Sequence, residues 1–301
     1  MDPLLIVFGL GVGFLVGITG MGGGSLMTPL LILFTGTAPV TAIGSDIAYA
    51  AVTKTVGGWR HLKLKTVNLG LSFWLALGSV PAAIAGVWVL DILHHKYGKD
   101  LDNIVLTVLA VALVVVGTLV LIRSLFVPRM INGEREHFEL TRGLKIAAVA
   151  IGATTGFVIG LTSAGSGTLI AVFLIALYRM APRKVVGTDV FHAAVLLWAA
   201  AIAHLLSGNI NFAIVGTILI GSIPGVWIGS HLTVKLPTGV LRTALGVVMI
   251  AAALALFDKA GANIPLGAVI GVGAAFALGL IVQQLVRHYR PMHTASSGVG
   301  D

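Results

Sequence analysis

The chain has no cysteine in its 301 residues. Disulfides, thiolate catalysis and cysteine-ligated metal sites are therefore excluded. Charge is also scarce. Only 10% of residues are charged, against about 25% in a soluble domain. Acidic side chains number 11 against 19 Lys and Arg, a formal net charge of +8. That excess is not a nucleic-acid signal, because the bases fall in short connections between apolar runs, where they set membrane orientation. Aromatic residues make up 7% of the chain. What remains is 57% hydrophobic, contains 39 glycines, and has a mean hydropathy of +1.03.

Apolar runs at 41–59, 68–90, 102–122, 184–206, 211–231, 239–257 and 264–287 approach or exceed the roughly 20 residues a helix needs to cross a bilayer. The chain reads as an all-α polytopic membrane protein with the lipid bilayer as its constant partner. Met1-Asp2-Pro3 lacks a basic n-region, so no cleavable leader is expected. The tail from His288 is polar and reads as disordered.

Two stretches break the pattern. Gly17–Pro29 reads GITGMGGGSLMTP inside an apolar run from Leu4 to Phe34. Gly160–Val172 reads GLTSAGSGTLIAV. Each glycine in a helix interior costs about 1 kcal/mol relative to alanine, so these segments read as unwound backbone. Irregular backbone at membrane depth survives only where protein buries it or water lines it. Half-helices are expected on either side, at Leu4–Val16 and Ser25–Phe34, then at 143–160 and 168–178.

A shift of 143 positions superposes the two halves without a gap from Gly17–Gly86 onto Gly160–Gly229. Thr19 meets Thr162, Gly22 meets Gly165 and Gly24 meets Gly167. Pro39 meets Pro182, Asp46 meets Asp189 and His61 meets His204. Asn68 meets Asn211, and GSVP at 78–81 meets GSIP at 221–224. Matched Asp, His, Asn and Pro on one diagonal mark an internal repeat. The expected organisation is a first repeat at 1–122, a cytoplasmic linker at 123–142, a second repeat at 143–257, and an extra helix with a tail at 258–301.

The bases decide between two topologies. If each broken segment crosses once, Lys and Arg divide evenly between the sides. If each goes in and returns, only Lys96, Lys99 and Lys259 fall on one side, with all the others except intramembrane Lys54 opposite them. The second arrangement obeys the positive-inside rule. It places the N-terminus outside and the C-terminus in the cytoplasm. Each repeat then has a re-entrant helical hairpin followed by three transmembrane helices, and the repeats have inverted topology. Inverted repeats with broken helices and a midplane site are a recurring transporter plan.

The segments GMGGGSLMTPLL at 20–31 and GSDIAYAAVTK at 44–54, with weaker copies GSGTLIAVFL and GTDVFHAAV, resemble the TauE/SafE family of sulfite and organosulfonate exporters. The resemblance extends to about residue 257. It implies a bacterial inner-membrane secondary transporter that moves a small sulfur-containing anion, usually outward, and it implies no enzyme activity. The second copy departs from the motif at Ser163, Ala164, Ser166 and Val172.

The candidate substrate site lies between the two glycine stretches. Gly22, Gly23, Gly24, Gly165 and Gly167 let backbone N–H groups approach an oxyanion. Helix N-termini near Ser25 and Thr168 supply positive dipole ends. Thr19, Ser25, Thr162, Ser163, Ser166 and Thr168 add hydroxyls. The plainer reading is that small residues only let helices pack closely. Asp46 and Asp189, each at a helix start, brace or cap the glycine loops, or couple protons. His192, one turn after Asp189, could exchange protons with it. Lys54, which has Leu197 at its mate position, either snorkels or lends charge to an anion path. No cofactor or metal is expected, and GMGGGS lacks the Lys-Ser/Thr of a nucleotide-binding P-loop. An anion channel shares all these features. An intramembrane hydrolase using Ser166 with His192 or His204 is a more distant alternative.

The topology generates a test. Accessibility tags at 94–99 and at 60–65 are expected to report opposite faces of the membrane. A cytoplasmic signal from 94–99 contradicts the charge argument.

Overall fold

The computed structural model describes residues 3–19, 24–98, 100–126, 140–232, 238–265, 267 and 271. The helices are α1 (Pro3–Thr19), α2 (Gly24–Phe34), α3 (Pro39–Lys63), α4 (Leu69–Tyr97), α5 (Asp100–Phe126), α6 (Arg142–Thr162), α7 (Leu169–Ala176), α8 (Pro182–Leu206), α9 (Phe212–Leu232) and α10 (Thr238–Phe257). A π-helical turn, Asp258–Ala262, follows α10. Among the described residues there is no strand, and six helices are long and apolar enough to cross a bilayer. The protein is an all-helical, multi-pass membrane protein. The helix expected at 264–287 falls almost wholly outside the described residues.

Local signals set the helix starts. Pro39 and Pro182 open α3 and α8 at the first turn, where a missing N–H costs nothing. Asn68 and Asn211 cap α4 and α9 by accepting from the N–H groups of Leu71 and Ile214. α3 is as long as α8, at 25 residues, but less apolar because it carries Asp46, Lys54, Arg60 and Lys63.

Both broken segments fold back on themselves. Phe8 near the start of α1 meets Phe34 at the end of α2 edge-on, with ring centroids 5.3 Å apart. Tyr178, just past α7, donates its hydroxyl to the carbonyl of Leu144 near the start of α6 at 2.8 Å. Each pair is therefore a helical hairpin. The arms are unequal, with 17 and 11 residues in the first hairpin and 21 and 8 in the second. The half-helix expected at 143–160 is thus a full-length helix. Gly152, Gly156 and Gly160 do not break it, because they are the points where α6 touches α4.

Glycine contacts fix the helix pairing. Gly152, Gly156 and Gly160 of α6 lie on the backbone of Leu75, Ser79 and Ala83, so α4 and α6 run parallel. Gly9 and Gly13 of α1 lie likewise on residues 218 and 222 of α9. The α1–α9 pair has the α6–α4 pair as its counterpart at the 143-residue offset. Gly44 near the start of α3 packs on Asn209 beyond the end of α8, and Gly187 near the start of α8 packs on Thr66 beyond the end of α3. α3 and α8 are therefore antiparallel. The Trp198 indole donates to Thr55 Oγ1 across this pair at 2.8 Å, and these two positions are 143-residue mates. α5 packs against α10.

Such contacts leave no room for a side chain. Gly13→Ala would drive a methyl into the Ser222 backbone and is expected to destabilise by about 1–3 kcal/mol. Gly11→Ala, two residues away and facing open space, is expected to stabilise by about 0.5–1 kcal/mol through helix propensity. Thermal unfolding of the detergent-solubilised variants reads both signs.

Candidate functional site

The two hairpins meet at a buried polar cluster in the middle of the helices. At the tip of the second hairpin, α6 ends on Ser163, which takes a left-handed conformation at φ 59. Its mate in the first half is Gly20, and a serine there costs about 1 kcal/mol of backbone strain. Gly165 follows at φ +93, a value that glycine tolerates. The Gly165 N–H donates to Ser25 Oγ in the first turn of α2 at 2.8 Å. This bond joins the two hairpins directly.

Asp46 on α3 is fully buried. Its Oδ2 accepts from Ser163 Oγ at 2.9 Å and from Thr28 Oγ1 of α2 at 2.5 Å. One carboxylate oxygen thus holds α2, α3 and the second hairpin tip together. Lys54, two turns further along α3, is 5% exposed. Its ammonium does not snorkel. It turns inward and donates to the Ser166 carbonyl, and the charge of Asp189 acts on it. His192 is buried near Lys54 and shares a 2.8 Å hydrogen bond with Ser79 of α4.

The remaining expected residues divide clearly. Gly22 and Gly23 lie outside the described residues, Thr19 ends α1 with its side chain outside them, and Gly24 opens α2. Thr162 serves its own loop: its hydroxyl donates to Val158 and accepts from the Ala164 N–H. The N–H groups of Gly167, Thr168 and Leu169, expected to face an anion, converge instead on the Gly165 carbonyl at 2.7, 3.1 and 3.2 Å. The loop satisfies its own donors in this conformation because a buried N–H without a partner is costly. Ser166 and Thr168 are buried beside them. His204 is also fully buried, with its Nε2 on the Gly160 carbonyl at 3.3 Å, so it is not an exposed interfacial anchor.

Thr28, Ser79 and Ser222 were not among the expected site residues. The last two are mates in the repeated GSVP and GSIP segments. The signal was a serine two residues before each helical proline. Cross-half bonds also obey the repeat: Asn68 N–H donates to Thr188 Oγ1 at 2.9 Å, and Asn211 N–H donates to Ser45 Oγ at 3.0 Å.

A buried charged cluster between two helical hairpins, inside a bundle of membrane-length helices, defines a polytopic transport protein. The comparisons give the particular family. The family model for Sulfite exporter TauE/SafE matches residues 5–256, and the chain belongs to that family. The chain is 36% identical over 256 residues to the Probable membrane transporter protein YjnA of Bacillus subtilis, covering 85% of this chain and 100% of that one. It is 23% identical over 249 residues to the Probable membrane transporter protein YunE of the same organism, covering 76% and 86%. It is 24% identical over 247 residues to the Probable membrane transporter protein YdhB, also of Bacillus subtilis, covering 80% and 94%. No solved structure matches the chain.

The hairpin-to-hairpin bond generates a stability test. Ser25→Ala leaves the Gly165 N–H without its acceptor and is expected to cost about 1–3 kcal/mol. A lowered melting temperature in detergent checks it.

Proposed function

We propose that the protein is a secondary transporter that carries a small sulfur-containing anion, sulfite or a sulfonate, out of the cell across the bacterial inner membrane. The observation that carries this reading is the buried cation Lys54 set on the second hairpin tip at Ser166, beside the bond that joins that tip to Ser25. A desolvated anion needs a positive partner and hydrogen-bond donors. Lys54 supplies the charge. Ser25, Ser163, Ser166 and Thr168 supply hydroxyls, and Thr19 with Gly22, Gly23 and Gly24 is the first hairpin's share. Gly165, Gly167 and Thr168 release N–H groups once an oxyanion replaces the Gly165 carbonyl as their acceptor.

Asp46 braces the hairpins, and Asp189 balances Lys54 while the anion is absent. Protons are a candidate coupling ion through Asp189 and His192. The negative-inside potential favours anion efflux by about 2.3 kcal/mol per charge per 100 mV, so outward movement needs no ATP. The family is a transporter family, and His192 and His204 bond Ser79 and Gly160 rather than Ser166, which speaks against a serine hydrolase. The burial of Ser25, Asp46, Lys54, Ser166 and Asp189 supports a carrier in an occluded state over an open channel.

The inverted-repeat topology, with the N-terminus outside, belongs to the same proposal. The antiparallel α3 and α8 support it, as do the exchanged α1–α9 and α4–α6 pairs. Lys259 donates to the Ile32 carbonyl at 2.7 Å in the last turn of α2. The contact sets Lys259 beside the end of the first hairpin, on the side where the biased charge count puts both.

Radiolabelled sulfite flux in proteoliposomes, with competition by taurine, sulfoacetate, thiosulfate and sulfate, tests the substrate class. Saturable flux is the expected result, and no flux with any sulfur anion rejects the proposal. Lys54→Leu, the residue of the other repeat, is expected to reduce flux by about 10–100-fold, the loss of one charged hydrogen bond of about 1.5–3 kcal/mol.

A further inference from the structure

Two kinds of helix end occur twice in the repeat. After α3 and α8, the N–H groups of Thr66 and Asn209 donate to the carbonyls of His61 and His204 at 3.2 and 2.9 Å. After α2 and α7, the N–H groups of Thr37 and Met180 donate to the carbonyls of Leu31 and Leu174 at 3.3 and 3.4 Å. In all four the residue before the donor is left-handed. Glycine is the residue that such a position favours. Gly36 and Gly208 hold two of them, at φ 66 and 73. Their 143-residue mates are Arg179 and Lys65, at φ 49 and 55. Two helix ends thus carry a base in a conformation that disfavours any side chain.

Both bases lie at the same end of the helices. Gly187 near the start of α8 packs on Thr66, the neighbour of Lys65. Tyr178 and Met180, on either side of Arg179, pack in one cluster with Leu71 at the start of α4 and Val185 at the start of α8. Arg60, Lys63 and Arg183 are exposed at this end, as are Lys65 and Arg179. The mates of Arg60, Lys63 and Arg183 are Ala203, Leu206 and Val40, so the matching end on the opposite face has none of these five charges. The segments 60–75 and 140–188 contain no Asp or Glu to offset them. Membrane orientation asks only for bases near the helix ends. It does not ask for them at positions that the backbone reserves for glycine.

We propose that Lys65 and Arg179, with Arg60, Lys63 and Arg183 around them, form an anion-collecting vestibule at the open end of the second hairpin. It loads small oxyanions toward Lys54 from that face. The inference rests on the anion-transport reading and adds the side from which the site is filled, which is the face that the charge count puts in the cytoplasm. The route is short. α7, eight residues or about 12 Å long, separates this end from the tip where Lys54 meets Ser166. Clustered charge of one sign beside a low-dielectric interior raises the local concentration and the on-rate of its counter-ion. The opposite face, with Gly36 and Gly208 in the matching positions, lacks that attraction and lets an anion leave.

The absence of cysteine permits a test that does not depend on transport. Leu64→Cys and Ser207→Cys place a thiol at mate positions, beside Lys65 and Gly208. In detergent each is labelled with a sulfonate-bearing methanethiosulfonate and with its trimethylammonium counterpart. The ratio of the two rates cancels thiol exposure and ionisation. The anionic-to-cationic ratio is expected to be about tenfold higher at Leu64→Cys than at Ser207→Cys in low salt. The difference is expected to vanish at 1 M salt, where screening acts within about 3 Å. Lys65→Gly combined with Arg179→Gly is expected to lower the Leu64→Cys ratio about threefold, while the melting temperature holds or rises. In proteoliposomes the same pair of substitutions is expected to raise the KM for sulfite presented at that face about threefold and to leave kcat unchanged. Equal ratios at the two reporters overturn the proposal. A melting temperature lowered by both glycine substitutions assigns the bases to folding and also overturns it. A lowered ratio with unchanged sulfite KM rejects the loading role. If no sulfur anion is transported, the transport reading fails on its own, and the labelling ratios still decide whether this face collects anions.

Discussion

Lipid offers no hydrogen bonds, so every polar group at membrane depth must find its partner inside the protein. This constraint organises the structure around the Gly165–Ser25 bond and the Asp46 carboxylate. A hairpin tip that ends mid-membrane exposes unpaired backbone. Here the tip closes on itself through the Gly165 carbonyl and donates the Gly165 N–H to the opposite hairpin. Neither hairpin is complete alone. The two halves of the chain are therefore held together by polar bonds as well as by packing.

Packing supplies the rest. Between helices in lipid the hydrophobic effect gives little drive, and close contact of small residues takes its place. The glycines of α1, α4, α6 and α9 bring backbone against backbone along two parallel pairs. These pairs exchange partners between the halves, so each half completes the other's packing. The glycines serve the pairing, while Ser25, Thr28 and Ser163 form hydrogen bonds of the buried polar cluster.

The repeat is symmetric in its frame and asymmetric in its chemistry. Asn68–Thr188 and Asn211–Ser45 are one bond made twice. Lys54 against Leu197, His192 against Tyr49 and Thr28 against Ala171 are the departures. They leave one half with a cation beside a carboxylate and an imidazole, and the other with a carboxylate among hydroxyls.

Much of this was legible in the chain. The apolar runs gave the starts of the described helices to within a few residues, because proline and asparagine starts are local signals, while α4 runs on to Tyr97, past the expected end at 90. Asp46, Asp189 and Lys54 stood out because charge is rare and costly in an apolar run. The segment at 143–160 was expected as a half-helix beside the glycine stretch; it is the full-length helix Arg142–Thr162, and its glycines are contact points with α4. Free N–H groups at the second tip were expected, but a three-residue turn folds them onto Gly165.

Composition and periodicity alone determined a membrane protein of duplicated helical units with broken segments, since those follow from transfer free energy and backbone propensity along the chain. Only the tertiary structure decided which polar groups meet. Ser25 with Gly165, Asp46 with Ser163, Lys54 with Ser166 and Ser79 with His192 are each more than a hundred residues apart. Their pairing depends on how the hairpins cross, and no local pattern in the sequence encodes that crossing.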